Sequence, residues 1–474
     1  MLNDSKRLSR PLQVVVVGHT NTGKTSLLRT LLRDVTFGEV DDAPGTTRDV
    51  RSLGVLLDQK EVLRWFDTPG LEDSVGLRDW IDELSVPGRR LDASDRIDMF
   101  LQDERAQERF EQESRVLVQV MQSDALLYVV DTRDQVLAKH RDELYLLQAC
   151  AKPVLPVLNF TASPEANPGP WIQAFAKHGM HIHLAFDTVS PPINGEQMMY
   201  ETLGQLLSEH KALFAQIAND VQQARVKRLK AATELLASLC LDVTVKKRVV
   251  INQPLAIKQA VQAFERQVRE LESHCVARLL ALYRFHQEDY LPPTAGWSQG
   301  AWQTDLFSGQ ALSDVGIELG KGAAIGAAAG ATVDLLTAGL SLGTGTLVGA
   351  LAGSAWQGMD RFGKGLIAKV RGRRELMASD AILIVLATRN LQLIAALEQR
   401  GHASRAPISI ITKLGKTDID QPVLLKLLSQ AREQGPQTRF VTSWLSSNAP
   451  AVSQLSQFLF EAPLLHPFTA NRLH

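Results

Sequence analysis

Cysteine is scarce in this chain. Its three copies, Cys150, Cys240 and Cys275, are widely spaced, odd in number and form no CxxC pair. That distribution excludes a disulfide framework and a cysteine zinc site, and fits reduced thiols in a cytoplasmic protein. A bias of charge is missing too: 51 Lys+Arg stand against 52 Asp+Glu, a formal net charge of -1. A protein that coats nucleic acid through a generally positive surface is thereby disfavoured, so a nucleic-acid partner is not expected. No apolar stretch precedes Val14, so no secretory signal is expected. The hydrophobic share of 45% is ordinary, and 474 residues accommodate two to four domains with sizeable cores.

What is present, from the first strand onward, is an alternation of strands and helices. LQVVVV at 12–17 and ALLYVV at 125–130 are β-branched, apolar runs of the kind buried in a parallel sheet. Further strands are expected at 51–57, 61–66, 154–158 and 181–186, with Asp58-Gln59-Lys60 as a turn. Helices are expected at 135–149 and 195–217. The alternation predicts an α/β domain over 10–215, a mostly parallel sheet covered on both faces. Residues 72–115 hold many carboxylates and no lysine, and read as a charged, partly helical insertion. Beyond the α/β domain the pattern turns mainly α-helical, with helical spacing over Gln222–Leu239 and Ile257–Tyr283. The expected divisions are a helical region at 216–310, a Gly/Ala-rich hairpin with a basic cluster at 311–374, and a mainly helical region at 375–474. LPPTAGW at 291–297 marks a linker or turn.

GHTNTGKT at 18–25 fits G-x-x-x-x-G-K-[ST] between a strand and a helix. Gly18 and Gly23 let the backbone bend so that successive N–H groups, those of Asn21, Thr22 and Ser26 among them, face phosphate oxygens. The following helix adds the positive end of its dipole. Lys24 is expected to reach the β- and γ-phosphates, and the Thr25 hydroxyl to hold Mg²⁺. FDTPG at 66–70 ends a strand about 45 residues downstream of the P-loop. Asp67 there is a candidate Mg²⁺ carboxylate, and the Gly70 N–H a candidate sensor of the γ-phosphate. Between them PGTTRD at 44–49 offers Thr47, a threonine on a loop that closes over Mg²⁺ and the γ-phosphate.

GHTNTGKTS, GTTRD and DTPG, in that order, resemble the Era-like GTPases of the TrmE–Era–Der branch, over about residues 10–190. The resemblance implies GTP and GDP as nucleotides, Mg²⁺ as cofactor, and Thr25, Thr47 and Asp67 as the metal and switch residues. The layout, with its Gly/Ala-rich segment in a C-terminal half, also resembles a bacterial group of Era-like GTPases carrying a C-terminal domain of unknown function. Two departures stand out. Where the family places Asn-Lys-x-Asp to read the base, this chain has Asn159-Phe160-Thr161-Ala162. Asn159 fits its position, Phe160 offers an apolar surface, and Ala162 removes the acceptor for the guanine edge. Losing a charged acceptor costs about 1.5–3 kcal/mol, so guanine preference is expected to be weakened or supplied elsewhere, with Asp187 the candidate. Second, Leu71 follows DTPG where Ras-like proteins orient water with glutamine, a departure from that pattern in which a hydrophobic residue is similar to Era and TrmE. Asn21 stands where TrmE-like proteins carry an asparagine linked to K⁺; an asparagine also simply suits the turn. Carboxylates of the insertion, Asp79 for example, are candidates to orient the water.

Residues 322–359 are rich in Gly and Ala with Asp334 as the single charge. Gly322, Gly326 and Gly330 are four apart, the small-xxx-small spacing of closely packed helices. Arg361, Lys364, Lys369, Arg371, Arg373 and Arg374 follow without an acid. A peripheral, reversible contact with an anionic inner-membrane surface is expected, with a soluble packed hairpin and a permanent span as the competing readings. The functional expectation is a GTP-hydrolysing switch whose C-terminal half reads the nucleotide state at a membrane or protein effector. A dynamin-like membrane-remodelling NTPase and a ribosome- or RNA-associated GTPase are the alternatives.

Overall fold

The computed structural model describes residues 10–33, 50–87, 90–286, 306–307, 373–402, 404, 408, 419–434 and 449–469. Two compact units emerge: Met1–Ala224 with Gln399–Arg405, and Arg225–Glu398 with Ala406–His474.

The first unit is built on a six-stranded sheet. Its strands are β1 (Leu12–Val17), β2 (Arg51–Leu57), β3 (Lys60–Asp67), β4 (Ala125–Asp131), β5 (Val154–Asn159) and β6 (Leu184–Ala185). The spatial order is β2-β3-β1-β4-β5-β6, antiparallel between β2 and β3 and parallel elsewhere. The β2–β3 turn uses left-handed Asp58 and Gln59, where a short polar side chain tolerates positive φ. β6 is shorter than the expected 181–186 because His181 and Ile182 are exposed and only Leu184 and Phe186 enter the core.

Period-two alternation divides the strand side chains between two layers. Val14, Val16, Leu127 and Val129 pack with α1 (Lys24–Leu32), α8 (Gly195–Leu206) and Phe214. Val15, Val17, Leu126, Tyr128 and Val130 face the opposite layer. That layer is made by α2 (Ser74–Glu83), α3 (Ala93–Gln102), α4 (Glu104–Arg109), α5 (Glu111–Gln122), α6 (Ala138–Ala149) and α7 (Pro168–Lys177). Residues 72–115 are thus integral to the core rather than an appended charged insertion. Leu77, Ile81, Ile97, Phe100 and Phe110 are buried at helical spacing, and the carboxylates occupy the other face and the caps, as with Asp73 and Asp92. The helix expected over 195–217 is interrupted: α8 ends at Leu206, a 3₁₀ turn covers Ser208–His210, and α9 (Lys211–Val245) follows.

The second unit is helical. The distal part of α9 packs with α10 (Pro254–Leu282), α11 (Asp380–Gln399), α12 (Gln421–Gln434), α13 (Ala449–Phe460) and the short α14 (His466–Thr469). β7 (Arg248–Ile251) pairs antiparallel with β8 (Arg373–Leu376). α11 is long and apolar enough to cross a membrane, yet 78% of its apolar window is buried in this core. Its polar middle is matched there: Arg389 and Asn390 both donate to the buried Glu272 carboxylate of α10. The Gly/Ala-rich segment, most of the basic cluster that follows it, LPPTAGW and Thr47 lie outside the described residues.

Candidate nucleotide site

The pairings Val16↔Asp67 and Asp131↔Asn159 bring the carboxyl ends of β1, β3, β4 and β5 to one edge of the sheet. In open α/β sheets ligands bind at this edge. Gly18 leaves β1 with φ +148, and a Cβ there would lie 2.3 Å from the Val129 carbonyl oxygen. Gly23, at φ +91, would place a Cβ 2.3 Å from Asn159 Nδ2. No L-residue with a side chain fits either position, so the glycines of the motif are dictated by backbone approach as much as by the turn. Asn21, exposed at φ 66, adopts the left-handed conformation that asparagine tolerates best among residues with a side chain.

Lys24 opens α1 and turns back over the loop. Its Nζ donates to the carbonyls of Gly18 at 3.1 Å and His19 at 2.9 Å. Burial lowers its pKa to about 8, against the pull of Asp67, Glu143 and Glu72. A buried ammonium held over the loop at the N-terminus of a helix suits an anion.

Beside it, Thr25 Oγ1 donates to Asp67 Oδ2 at 2.6 Å. Asp67 is wholly buried, and burial raises its pKa against the opposing effects of Thr25, Lys24 and Arg51. Its Oδ1 is buried without a hydrogen-bond donor among the described residues. A hydroxyl and a carboxylate with one undonated oxygen form a donor set that fits a hard divalent cation such as Mg²⁺. Thr68, next in the motif, donates to the Val16 carbonyl at 2.7 Å and pins the turn to β1. Gly70 then lies flat on the P-loop: a Cβ would meet Thr20 Oγ1 at 2.3 Å. Leu71 N–H donates to the Gly18 carbonyl at 3.2 Å, and the Leu71 side chain is buried. Asp79 is exposed on α2.

The sequence reading overlooked two supports. Glu113 of α5 accepts the Glu72 and Asp73 N–H groups at 3.1 and 2.9 Å, while Gln112 Nε2 donates to the Gly70 carbonyl. The turn after DTPG is therefore fastened to α5. A buried glutamate in an otherwise exposed carboxylate-rich stretch has no local sequence signature. The second support is Glu143, wholly buried, which accepts from Tyr128 Oη at 2.7 Å and from His19 Nδ1 at 2.9 Å. His19 Nε2 then accepts from Lys139 at 2.7 Å. This relay holds a lysine ammonium beside the first turn of the P-loop.

The base motif is present in altered form. Asn159 Nδ2 donates to the Thr22 carbonyl at 2.9 Å, and its Oδ1 accepts the N–H groups of Phe160 and Thr188. Phe160 lies over Gly23, and the Arg133 guanidinium stacks 4.0 Å from its ring centroid while paired with Asp131. An aromatic ring with a cation on it thus replaces the lysine expected here. Asp187 does lie beside Ala162. Its Oδ2 accepts Ala162 N–H, and its Oδ1 accepts Val189 and Ser190 N–H, each at 2.9 Å. With three backbone donors the buried carboxylate closes its own loop, which is a different task from pairing with a base.

Against known proteins, a family model described as a 50S ribosome-binding GTPase matches residues 13–160, and a domain of unknown function (DUF3482) matches residues 173–445. The second match covers more than half of the chain. The chain belongs to the DUF3482 family. Its N-terminal part is a P-loop GTPase domain of the TrmE–Era–Der type. This DUF3482 protein is 34% identical over 77 residues to GTPase Der of Chlamydia muridarum, covering 16% of this chain and 15% of that protein. It is 30% identical over 137 residues to the tRNA modification GTPase MnmE of Thermotoga sp. (strain RQ2), covering 29% of each. The chain therefore spans well under two thirds of these curated relatives. Among solved structures, a crystal structure of Era with MgGDPNP and a 16S ribosomal RNA segment aligns at 18% identity. It covers 38% of this chain and 51% of that one, with a TM-score of 0.27.

Proposed function

We propose that this DUF3482 protein binds and slowly hydrolyses GTP with Mg²⁺, and that its C-terminal half couples the nucleotide state to an anionic membrane surface. The observation that carries the chemistry is the Lys24–Thr25–Asp67 cluster, with its buried ammonium and its undonated Asp67 oxygen. Lys24 and the P-loop N–H groups hold the β- and γ-phosphates. Thr25 and Asp67, joined by Thr47, hold the metal, which when bound neutralises charge on the phosphates. Gly70 presents its N–H toward the γ-phosphate, and Asn159 meets the base edge. Leu71 supplies no group to orient water, so turnover is slow. K⁺ beside Asn21 belongs to the same proposal, in the role of a cation against developing phosphate charge.

Support for the membrane arm comes from the sequence alone: the Gly/Ala-rich segment and the acid-free basic run after it. A protein effector or a ribosomal particle is the outcome to expect if lipid is not bound. Single-turnover hydrolysis of γ-labelled GTP tests the chemistry. Wild type is expected to release phosphate only with Mg²⁺, and Asp67→Asn to lose most of that rate. Mg²⁺-independent turnover would contradict the assignment.

A further inference from the structure

The last residue of α11 and the six that follow it, Gln399–Arg405, belong to the same compact unit as the nucleotide site although β6 precedes them by more than two hundred positions. Gly401 is seated on the loop that closes the base pocket. Its N–H donates to the Val189 carbonyl at 3.1 Å, and a Cβ on it would lie 1.9 Å from the Thr188 carbonyl oxygen. That is closer than any real Cβ contact, so only glycine fits against this loop. The turn is closed on itself: Ser404 N–H donates to the Gly401 carbonyl at 3.1 Å, and Arg400 Nη2 to the Ser404 carbonyl at 2.9 Å.

Thr188 is a junction. Its carbonyl accepts from Thr30 Oγ1 of α1 at 3.1 Å, and its N–H donates to Asn159 Oδ1 at 2.9 Å. Asn159 in turn holds the Thr22 carbonyl of the P-loop. A displacement of Thr188 therefore reaches both the base residue and the phosphate loop through single hydrogen bonds. The base motif has lost its aspartate at Ala162, and Asp187 is occupied with backbone donors. The geometry of this loop consequently rests on what packs against it.

We infer that the Gly401 turn is a positioning element of the nucleotide site, which sets how fast the nucleotide leaves by holding Thr188 against Asn159. The inference rests on the nucleotide reading above.

The test uses the full chain and fluorescent GDP. Gly401→Ala is expected to speed GDP release about tenfold, a change worth about 1.4 kcal/mol. kcat at saturating GTP is expected to stay within about twofold, because the hydrogen bonds of Lys24, Thr25 and Asp67 run to Gly18, His19 and each other and not to Thr188 or Gly401. A general folding defect would lower both, and melting without nucleotide is measured alongside. Thr30→Val, which frees the same Thr188 carbonyl, is expected to be non-additive with Gly401→Ala. If Gly401→Ala does not fold, Ser404→Pro removes the N–H that closes the turn, and it is expected to speed release in the same direction. Unchanged release in the variant that folds overturns the inference. Wild type that binds no guanine nucleotide contradicts instead the reading on which it rests.

Discussion

Glu113 accepts the backbone N–H of Glu72 at 3.1 Å, and the same oxygen accepts that of Asp73 at 2.9 Å. The turn that senses the γ-phosphate in this account is thus held by a helix forty residues away in sequence. Glu113→Ala removes the carboxylate that accepts both N–H groups, and hydrogen bonds to a charged acceptor contribute about 1–3 kcal/mol. The expected outcome is a lower melting temperature and a kcat for GTP reduced about tenfold, with GDP affinity little changed. Glu113→Gln keeps an acceptor oxygen and should recover most of both. Steady-state kinetics with GDP titrations on the two variants measure the difference.

Base selection is expected to be weak. Phe160 and Arg133 give a stacking surface without an acceptor for the guanine edge, and Asp187 is engaged by Ala162, Val189 and Ser190. GTP should still be preferred over ATP, but by about ten- to a hundredfold less than in a site with an intact Asn-Lys-x-Asp, as competition of labelled GTP by ATP measures. Asp187→Asn should weaken all nucleotides together. A switch of preference from GTP to XTP in that variant would show instead that Asp187 pairs with the base.

Asp242, on α9, carries a pH-dependent cost. Burial pushes it up to about 6, with Lys246 pulling it back, and its Oδ1 is buried without a partner among the described residues. The folded state binds this proton more tightly than the unfolded chain, whose aspartate titrates at its ordinary value near 3.8. Stability is therefore lost as pH rises through about 6. Asp242→Asn is expected to raise the melting temperature at pH 7.5 and to leave it nearly unchanged below pH 4. Thermal melts across that range, analysed for the second unit's transition, check the sign.

The sheet was legible because its signals are local. LQVVVV, ALLYVV and the glycines of the P-loop each state their conformation within a few residues, and the strands expected at 12–17 and 125–130 lie where their β-branched, apolar runs put them. Lys24, Thr25 and Asp67 could be read for the same reason: the motif carries its own backbone. Glu113, Glu143 and Gly401 could not be read. Each acts on the site from a distant stretch, and a carboxylate that accepts backbone N–H groups looks in sequence like any solvated acid. The charged character of 72–115 misled for a related reason, since composition averages a buried face with an exposed one. α11 falls within 375–474, expected to be mainly helical, but its own bounds were not legible because a helix buried on all sides has no amphipathic period.

Membrane association is tested by flotation. With anionic vesicles the full chain is expected to float, less so as salt rises because attraction of the basic run at 361–374 is screened. Replacing Arg371, Arg373 and Arg374 with glutamine should remove the dependence on lipid charge. Recovery should differ between GDP and a non-hydrolysable GTP analogue. Equal, negligible recovery under every condition would turn the proposal toward a protein or ribosomal partner.

The most direct measurement is equilibrium binding of GDP and GTP, with Mg²⁺, to wild type and Lys24→Ala. Lys24 is the buried ammonium around which the P-loop carbonyls and Asp67 are arranged. The account predicts saturable, one-to-one binding by wild type and a loss of at least about a hundredfold in affinity for the variant, with the fold retained. Equal affinity of the two proteins for GTP would contradict it.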